Sequence, residues 1–344
     1  MSENGERSPL AFQYPAGVVF SRFVADAVLR IEAGALNEGK LDALARSLGV
    51  TARHLRRAMQ TELGVSPIEL AQSTRLALAR RVIQETSLSM TEIAYASGFR
   101  SLRRFNALYA AMYGEPPAAL RARTERGNSS GSIALRIEYE RPLDWEAMRE
   151  RISARQIAGV ERFDRFAYAR TLRFGARRGW IAVYPRVNQR ALIAEIATAL
   201  LPNVMSIVAR LRALFDLDAS GAKKPRAFDG FEFAAIAICG AEAIGKLVPK
   251  ICPRYELPYA KLTHLPFSAN LIARAGKPNA LLPLAKAVSS GKLALDPTSD
   301  AQPLEAQLAE LGLEPHAIAK ITDVLTQHVA KRRMKWTRRS SASF

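Results

Sequence analysis

Two stretches of this chain repeat one another at a spacing of about fifty residues, and that repeat restricts its first part to few architectures. LARSLGVTARHLRRAMQTELGVSP (44–67) and IAYASGFRSLRRFNALYAAMYGEPP (93–117) share one plan: short helix, Gly, apolar residue, hydroxyl residue, basic helix, Gly, Pro. Ala45 corresponds to Ala94, Gly49 to Gly98, Thr51 to Ser101, Leu55 to Phe105, Gly64 to Gly114 and Pro67 to Pro117. The plan predicts two helix-turn-helix units. In each, the first Gly takes the left-handed conformation after the first helix, and Thr51 or Ser101 caps the second. Between them, PIELAQSTRLALARRVIQET has apolar residues at helical spacing and is expected to be a rigid connecting helix.

The phase of the second helices separates a buried face from an outer one. Over 52–63, Leu55, Met59 and Leu63 share one stripe, leaving Arg53, Arg56, Arg57 and Gln60 on the other. In the second unit the same reasoning turns Phe105, Leu108 and Met112 inward and Arg103, Asn106 and Ala107 outward, flanked by Arg100 and Arg104. In the major groove Arg can pair in bidentate fashion with guanine and Asn with adenine, and a small Ala permits close approach. The expected DNA-binding residues are therefore Thr51, Ala52, Arg53, His54, Arg56, Arg57 and Gln60 in the first unit, and Arg100, Ser101, Arg103, Arg104, Asn106 and Ala107 in the second.

Charge supports a polyanionic partner. The 344 residues hold 50 Lys and Arg against 32 Asp and Glu, a formal net charge of +18, and double-stranded DNA is the expected partner. No apolar run approaches the ~18 residues a membrane-spanning helix requires, so no membrane partner is expected and the location is read as cytoplasmic, with the nucleoid reached through DNA. Cys239 and Cys252 lack zinc-site spacing and are read as buried thiols. His54, His264, His316 and His328 are scattered without ligand spacing, so neither a metal nor a cofactor is expected.

The run TRLALARRVIQETSLSMTEIAYASGFRSLRRFNALYAAMYGEPPAALR resembles the signature of the AraC/XylS transcription regulators, in its Arg75 helix, EIA, GF, Phe105 and the Gly-x-x-Pro of 114–117. The resemblance covers roughly 17–123 and implies sequence-specific binding, with two recognition helices entering successive major grooves on one side of the duplex. The second recognition helix is more basic at its start than is usual in that family.

TERGNSSGS (124–132) is a polar Gly/Ser-rich break. After it IALRIEYER, FAYARTLRF and GWIAVYPRV alternate apolar and polar residues and are expected to be strands. DWEAMRERISAR is expected to be a helix capped by Asp144, and NQRALIAEIATALLPNVMSIVARLRALFDLDAS one or two long helices interrupted at Pro202. This segment resembles the N-terminal domain of the bacterial 3-methyladenine DNA glycosylase II (AlkA) family, in ALRIEYERPLDWEAMRERISARQIAGVE, GWIAVYPRV and LLPNVMSIVARLRALFDLDAS. Adaptive-response fusions that it also resembles carry a zinc-bound methyl-acceptor domain first. No cysteine precedes position 239, so that chemistry is not expected here.

From FDGFEFAAIAICGAEAIGKLVPKI onward the chain reads as all-helical and is similar to the helix-hairpin-helix glycosylase domain. In active relatives a hairpin L-P-G-I-G-P-W-T-A follows LLPLAKAVSSGKLALDPTSDAQPLEAQLAELGL. Here Leu311 keeps the leucine, but Gly312, Leu313, Glu314 and Pro315 replace Pro, Gly, Ile and Gly, and Ala317 replaces the tryptophan. Pro315 has no N–H for a phosphate, and Glu314 repels one. The carboxylate the resemblance implies past the hairpin has no counterpart in QHVAKRRMKWTRRSSASF, which has neither Asp nor Glu. Asp323 comes too early and is read as a helix residue, and Asp296 and Asp300 as turn or cap residues.

The expected fold is multi-domain and mainly α with one α+β domain: a tandem helix-turn-helix domain (14–126), a linker (127–132), a small antiparallel-sheet AlkA N-terminal-like domain (133–220), a truncated, degenerate helix-hairpin-helix domain (221–336) and a basic tail (337–344). The expected function is a transcription regulator with no enzymatic activity, in which the glycosylase-like module adds phosphate contacts, bends DNA or meets a partner such as RNA polymerase, with a link to the DNA-damage response. The alternative is a DNA repair protein, either a glycosylase for alkylated bases or a lesion sensor.

Overall fold

The structure, a computed structural model, describes residues 21–123, 131–139, 142–186, 190–217, 228–255, 257, 262–276, 279–295 and 301–332. Most of the 127–132 linker, the basic tail, residues 14–20, Asp296 and Asp300 lie outside these, and so does the side chain of His328. The described residues form two compact units: those up to Glu138 together with Ile196–Ala209, and Tyr139–Glu195 together with Arg210–Arg332.

The first unit begins with α1 (Arg22–Glu32), α2 (Ala35–Glu38), α3 (Leu41–Ser47) and α4 (Ala52–Leu63). It continues through α5 (Pro67–Glu85), α6 (Met90–Ala96), α7 (Leu102–Tyr113), α8 (Pro117–Arg123) and strand β1 (Ser132–Glu138). The connecting helix forms as the sequence predicts. Ser66 caps α5 by accepting from Glu69 N at 3.3 Å, the Glu69 carboxylate accepts from Ser66 N at 2.7 Å, and Pro67 takes the first helical position, where its missing N–H costs nothing. Packed against α1, α4, α6, α7 and α8, α5 is the spine on which both helix-turn-helix units are mounted. Val24, Val28, Ile31, Leu55, Met59 and Leu70 form the core of the first of them.

Two longer-range ties complete this unit. Arg81 donates to the carbonyl of Arg136 in β1 and pairs with Glu85 at 2.9 Å. The segment after residue 196 packs its 3-10 turn, Thr198–Asn203, against α6, and Met205 Sδ accepts from Asn37 Nδ2 at 3.3 Å.

In the second unit Asp144 caps α9 (Trp145–Ser153), accepting from Ala147 N at 2.9 Å, as expected. The strands are β2 (Glu161–Phe163), β3 (Tyr168–Phe174), β4 (Arg177–Arg186) and β5 (Ala191–Ala197), in the order β5-β4-β3-β2. β3 runs antiparallel to both β2 and β4. The long helix expected over 188–220 is corrected here. Its first part is β5, where Leu192, Ala194 and Ile196 are fully buried at a spacing of two, and only past Pro202 does a helix form, α10 (Val204–Leu214). An apolar run of that length fits either period, and pairing beside β4 decides for the strand. Trp145 stacks on Phe215 at 5.6 Å, and Phe163 and Tyr168 meet the same ring edge-on.

Helices α11 (Gly230–Cys239), α12 (Ala241–Ile251), α13 (Ala269–Ala275), α14 (Leu282–Ser289), α15 (Ala301–Glu310) and α16 (Pro315–Arg332) enclose one apolar core that includes Ile244, Val248, Ile272, Leu284, Leu308 and Ile321. Cys252 is buried in it, and burial pushes its thiol up to about 12; Cys239 is only half-buried. Helix, turn and helix are present at 308–321, with Gly312 at φ +72° and Pro315 opening α16. Asp323 sits within α16.

A buried ion cluster ties strand to helix inside this unit. Arg170 on β3 is 1% exposed, and its Nη2 donates to both oxygens of Glu232 on α11 at 2.8 Å. Its Nη1 stands 3.6 Å from Glu161 Oε2, which also accepts from the Tyr168 hydroxyl at 2.8 Å. A buried guanidinium is tolerated because two carboxylates surround it.

Candidate nucleic-acid interface

α4 and α7 are built alike. Thr51 accepts from His54 N at 3.2 Å and Ser101 from Arg104 N at 3.3 Å, so each hydroxyl satisfies a free N–H at the start of its helix. Gly49 and Gly98 precede these caps at φ +71° and +83°, and Gly64 and Gly114 close the helices at φ +72° each. Both turns have the left-handed geometry the sequence predicts.

On α4, Leu55, Met59 and Leu63 face the core, while Arg53, His54, Arg56, Arg57 and Gln60 are exposed; Ala52 is half-buried against that core. On α7, Arg103, Arg104, Asn106 and Ala107 are exposed, with Arg100 and the capping Ser101 exposed just ahead. The inward face of α7 needs correction. Phe105 and Tyr109 are fully buried, whereas Leu108 is half-buried and Met112 is 46% exposed. Phe99, Phe105, Tyr109 and Tyr113 form a ladder of ring contacts with centroids 4.7–5.7 Å apart, and Arg80 of α5 lies 4.8 Å over Tyr113. The helix rotates to stack these rings, because aromatic burial outweighs that of Leu and Met.

Six exposed guanidiniums thus stand on or just ahead of two hydroxyl-capped, glycine-closed helices: Arg53, Arg56 and Arg57 on α4, Arg103 and Arg104 on α7, and Arg100 before it. Arg75 reports the local charge: burial first, then the positive charges of Arg100 and Arg104, lower its pKa. Two predicted residues also have partners within the protein. His54 stacks on Phe23 of α1 at 5.1 Å, and the Gln60 amide donates to the Gly64 carbonyl at 3.0 Å.

Sequence reasoning missed the device that holds the two units to one spine. Arg75 Nε donates to Asn37 Oδ1 at 2.7 Å, a second guanidinium nitrogen donates to the Leu36 carbonyl, and the backbone of Gly98 lies against both side chains. Gly98 stood in the repeat, but nothing local in the sequence pointed to Asn37.

Tandem helix-turn-helix units on a shared helix, each with a capped basic outer helix, define the DNA-binding domain of AraC-type transcription regulators, and residues 44–123 match the helix-turn-helix domain family. Residues 134–232 match the AlkA N-terminal domain family, so the chain joins an AraC-type domain to an AlkA-like module and is homologous to bifunctional AlkA regulator/glycosylase proteins. It is 28% identical over 277 residues to a probable bifunctional transcriptional activator/DNA repair enzyme AlkA of Mycobacterium tuberculosis, covering 73% of this chain and 55% of that protein. It is 25% identical over 141 residues to DNA-3-methyladenine glycosylase 2 of Escherichia coli, covering 36% of this chain and 50% of that one. A solved probable AraC family regulator from Rhodopseudomonas palustris is 28% identical and aligns with 30% of this chain and 99% of its own, at a TM-score of 0.29. The chain spans about half the length of the two curated relatives named here. Among the described residues no helix is long and apolar enough to cross a membrane, and no group of His, Cys, Asp and Glu could hold a metal ion.

Proposed function

We propose that this protein is a sequence-specific DNA-binding transcription regulator whose glycosylase-like module is not catalytic and serves an accessory role. One observation carries the reading: α4 and α7, each capped by a hydroxyl side chain, present exposed arginines at the corresponding positions Arg53 and Arg103, with Arg56 and Arg57 on α4 matched by Asn106 and Ala107 on α7. Two such helices can enter successive major grooves, Arg reading guanine and Asn106 reading adenine. Thr51, Ala52, His54 and Ser101 belong to the same edge, as positioning or backbone contacts. At the 308–321 hairpin, Glu314 is exposed and Pro315 opens α16, which sets a carboxylate and a residue without N–H where a phosphate would need donors. The working location is the nucleoid in the cytoplasm, and RNA polymerase is the protein partner this reading implies.

Selection of bound sequences from a random duplex pool tests the proposal. A reproducible motif with two half-sites about one helical turn apart is expected. Enrichment of no motif overturns it.

A second reading, a repair enzyme or lesion sensor, is favoured by the match of 134–232 to the AlkA N-terminal domain. Release of methylated bases from alkylated DNA by the purified protein, or preference for an abasic duplex over an intact one, selects that reading.

A further inference from the structure

The β3–β4 hairpin breaks a rule of sheet chemistry. Its register places Arg173 directly opposite Arg178 and Phe174 opposite Arg177, across a two-residue connection, Gly175–Ala176, with Gly175 at φ +61°. Like charges facing each other across a ladder destabilise it. The hairpin lies in a stretch of basic excess: from 165 to 194 the chain has seven arginines and no Asp or Glu. Arg173, Gly175, Ala176, Arg177 and Arg178 are all exposed, and Arg173 Nε donates to the Gly175 carbonyl at 3.2 Å, which keeps that side chain at the tip.

The base of the hairpin is as firmly held as its tip is open. Tyr168 to Leu172 are buried. Thr171 Oγ1 donates to the His264 carbonyl at 2.7 Å, Arg170 is locked between Glu232 and Glu161, and Arg210 lies 5.3 Å over Phe174 while pairing with Asp229 at 3.0 Å. Three guanidiniums are therefore presented on a rigid stem, the preorganisation that lowers the ordering cost of gripping an anion. Arg matches phosphate oxygens in bidentate geometry, and duplex DNA supplies phosphates at the spacing of a few ångströms that neighbouring side chains require.

We propose that the β3–β4 hairpin tip, formed by Arg173, Arg177 and Arg178, grips the phosphate backbone of duplex DNA as a contact separate from the recognition helices. The proposal rests on the protein being DNA-binding and is independent of any sequence preference. It gives the glycosylase-like module an accessory role without base chemistry.

The test uses the full chain, with anisotropy titrations on a selected target duplex and on an unrelated duplex across a salt series. Replacing all three arginines by Gln is expected to lower the slope of log affinity against log salt by about 2 to 3 on both duplexes, and affinity by about tenfold or more at 150 mM salt. Replacement by Lys should keep most of the slope. Thermal melting of the Gln variant should match or exceed that of the parent, because the cross-strand repulsion is gone. An unchanged slope on both duplexes overturns the proposal, as does a lowered melting temperature with a slope that Lys does not restore. Loss of binding to anionic phosphatidylglycerol vesicles with DNA binding intact also overturns it, assigning the tip to a lipid surface. A parent protein without sequence preference, but with the slope change present, sinks the regulator reading and leaves the hairpin contact standing.

Discussion

Arg75 on the connecting helix donates through Nε to Asn37 Oδ1 at 2.7 Å, and a Cβ placed on Gly98 would meet that same oxygen at 3.0 Å and Arg75 Nε at 3.3 Å. Three pieces distant in sequence, the short helix α2, the spine and the turn of the second helix-turn-helix unit, thus converge on one amide. The spacing of the two reading helices is set by this contact as well as by the length of α5.

A prediction follows from comparing two glycines in equivalent turns. Gly49 and Gly98 both have φ in the left-handed region, but nothing lies within 4 Å of a Cβ at Gly49. Gly49→Ala should cost about 1 kcal/mol, the strain of the left-handed backbone alone. Gly98→Ala should cost about 2 to 3 kcal/mol, because Asn37 and Arg75 must also give way. Urea denaturation of the two variants checks this, and equal losses would remove the steric part of the account.

Exposure makes the reading face separable from stability. Arg53 and Arg103 project from helices whose buried faces they do not touch. Arg53→Ala and Arg103→Ala should each weaken binding to a selected target by about 1 to 3 kcal/mol and relax preference at one base position. Their unfolding free energies should stay within about 0.5 kcal/mol of the parent. Competition titrations against single-base variants of the target distinguish loss of base reading from loss of a phosphate contact, which would weaken all sequences alike.

The aromatic ladder beneath α7 gives a sharper contrast. Tyr109→Ala removes a fully buried ring that touches Phe105 and Tyr113 and should cost about 3 to 5 kcal/mol. Met112→Ala, at a side chain 46% exposed, should cost less than about 1 kcal/mol. Thermal melts of the two variants measure this, and a larger loss at Met112 would return the helix to the rotation its sequence first suggests.

These cases show what the sequence could disclose. The helix-turn-helix repeat was legible because its signals are local: a glycine, a capping hydroxyl and a basic helix stand within a dozen residues, twice. The rotation of α7 was not, since Leu108 with Met112 and Tyr109 with Tyr113 both fit a helical stripe, and only the rings contributed by Phe99 and by Arg80's neighbour Tyr113 choose between them. β5 was misread for a related reason: Ala191–Ala197 is apolar except at Glu195, a pattern that fits either period, and its neighbour β4 decides between them. Asn37 and the Arg170 cluster are fixed by partners as far as 168 and 62 residues away, so local pattern could not reveal them.

The Arg170 cluster carries the pH dependence. Burial pushes the Glu232 carboxyl up to about 7, against the downward pull of Arg170 and with the help of Asp229 and Glu161. A carboxyl whose folded value lies above its unfolded value near 4.5 favours folding in its protonated form. That contribution is complete below about pH 4.5 and is lost as pH rises through about 7. Glu232→Gln, a neutral stand-in for the protonated carboxyl, should therefore flatten the stability profile between pH 5 and pH 7.5, removing a fall on the order of 2 kcal/mol. Arg170→Met, which strands two buried carboxylates, should cost about 3 to 5 kcal/mol at neutral pH and recover part of that loss on acidification. Urea titrations at pH 5 and 7.5 separate these outcomes, and a Glu232→Gln profile parallel to the parent's would mean that Glu232 stays ionised beside Arg170 throughout this range.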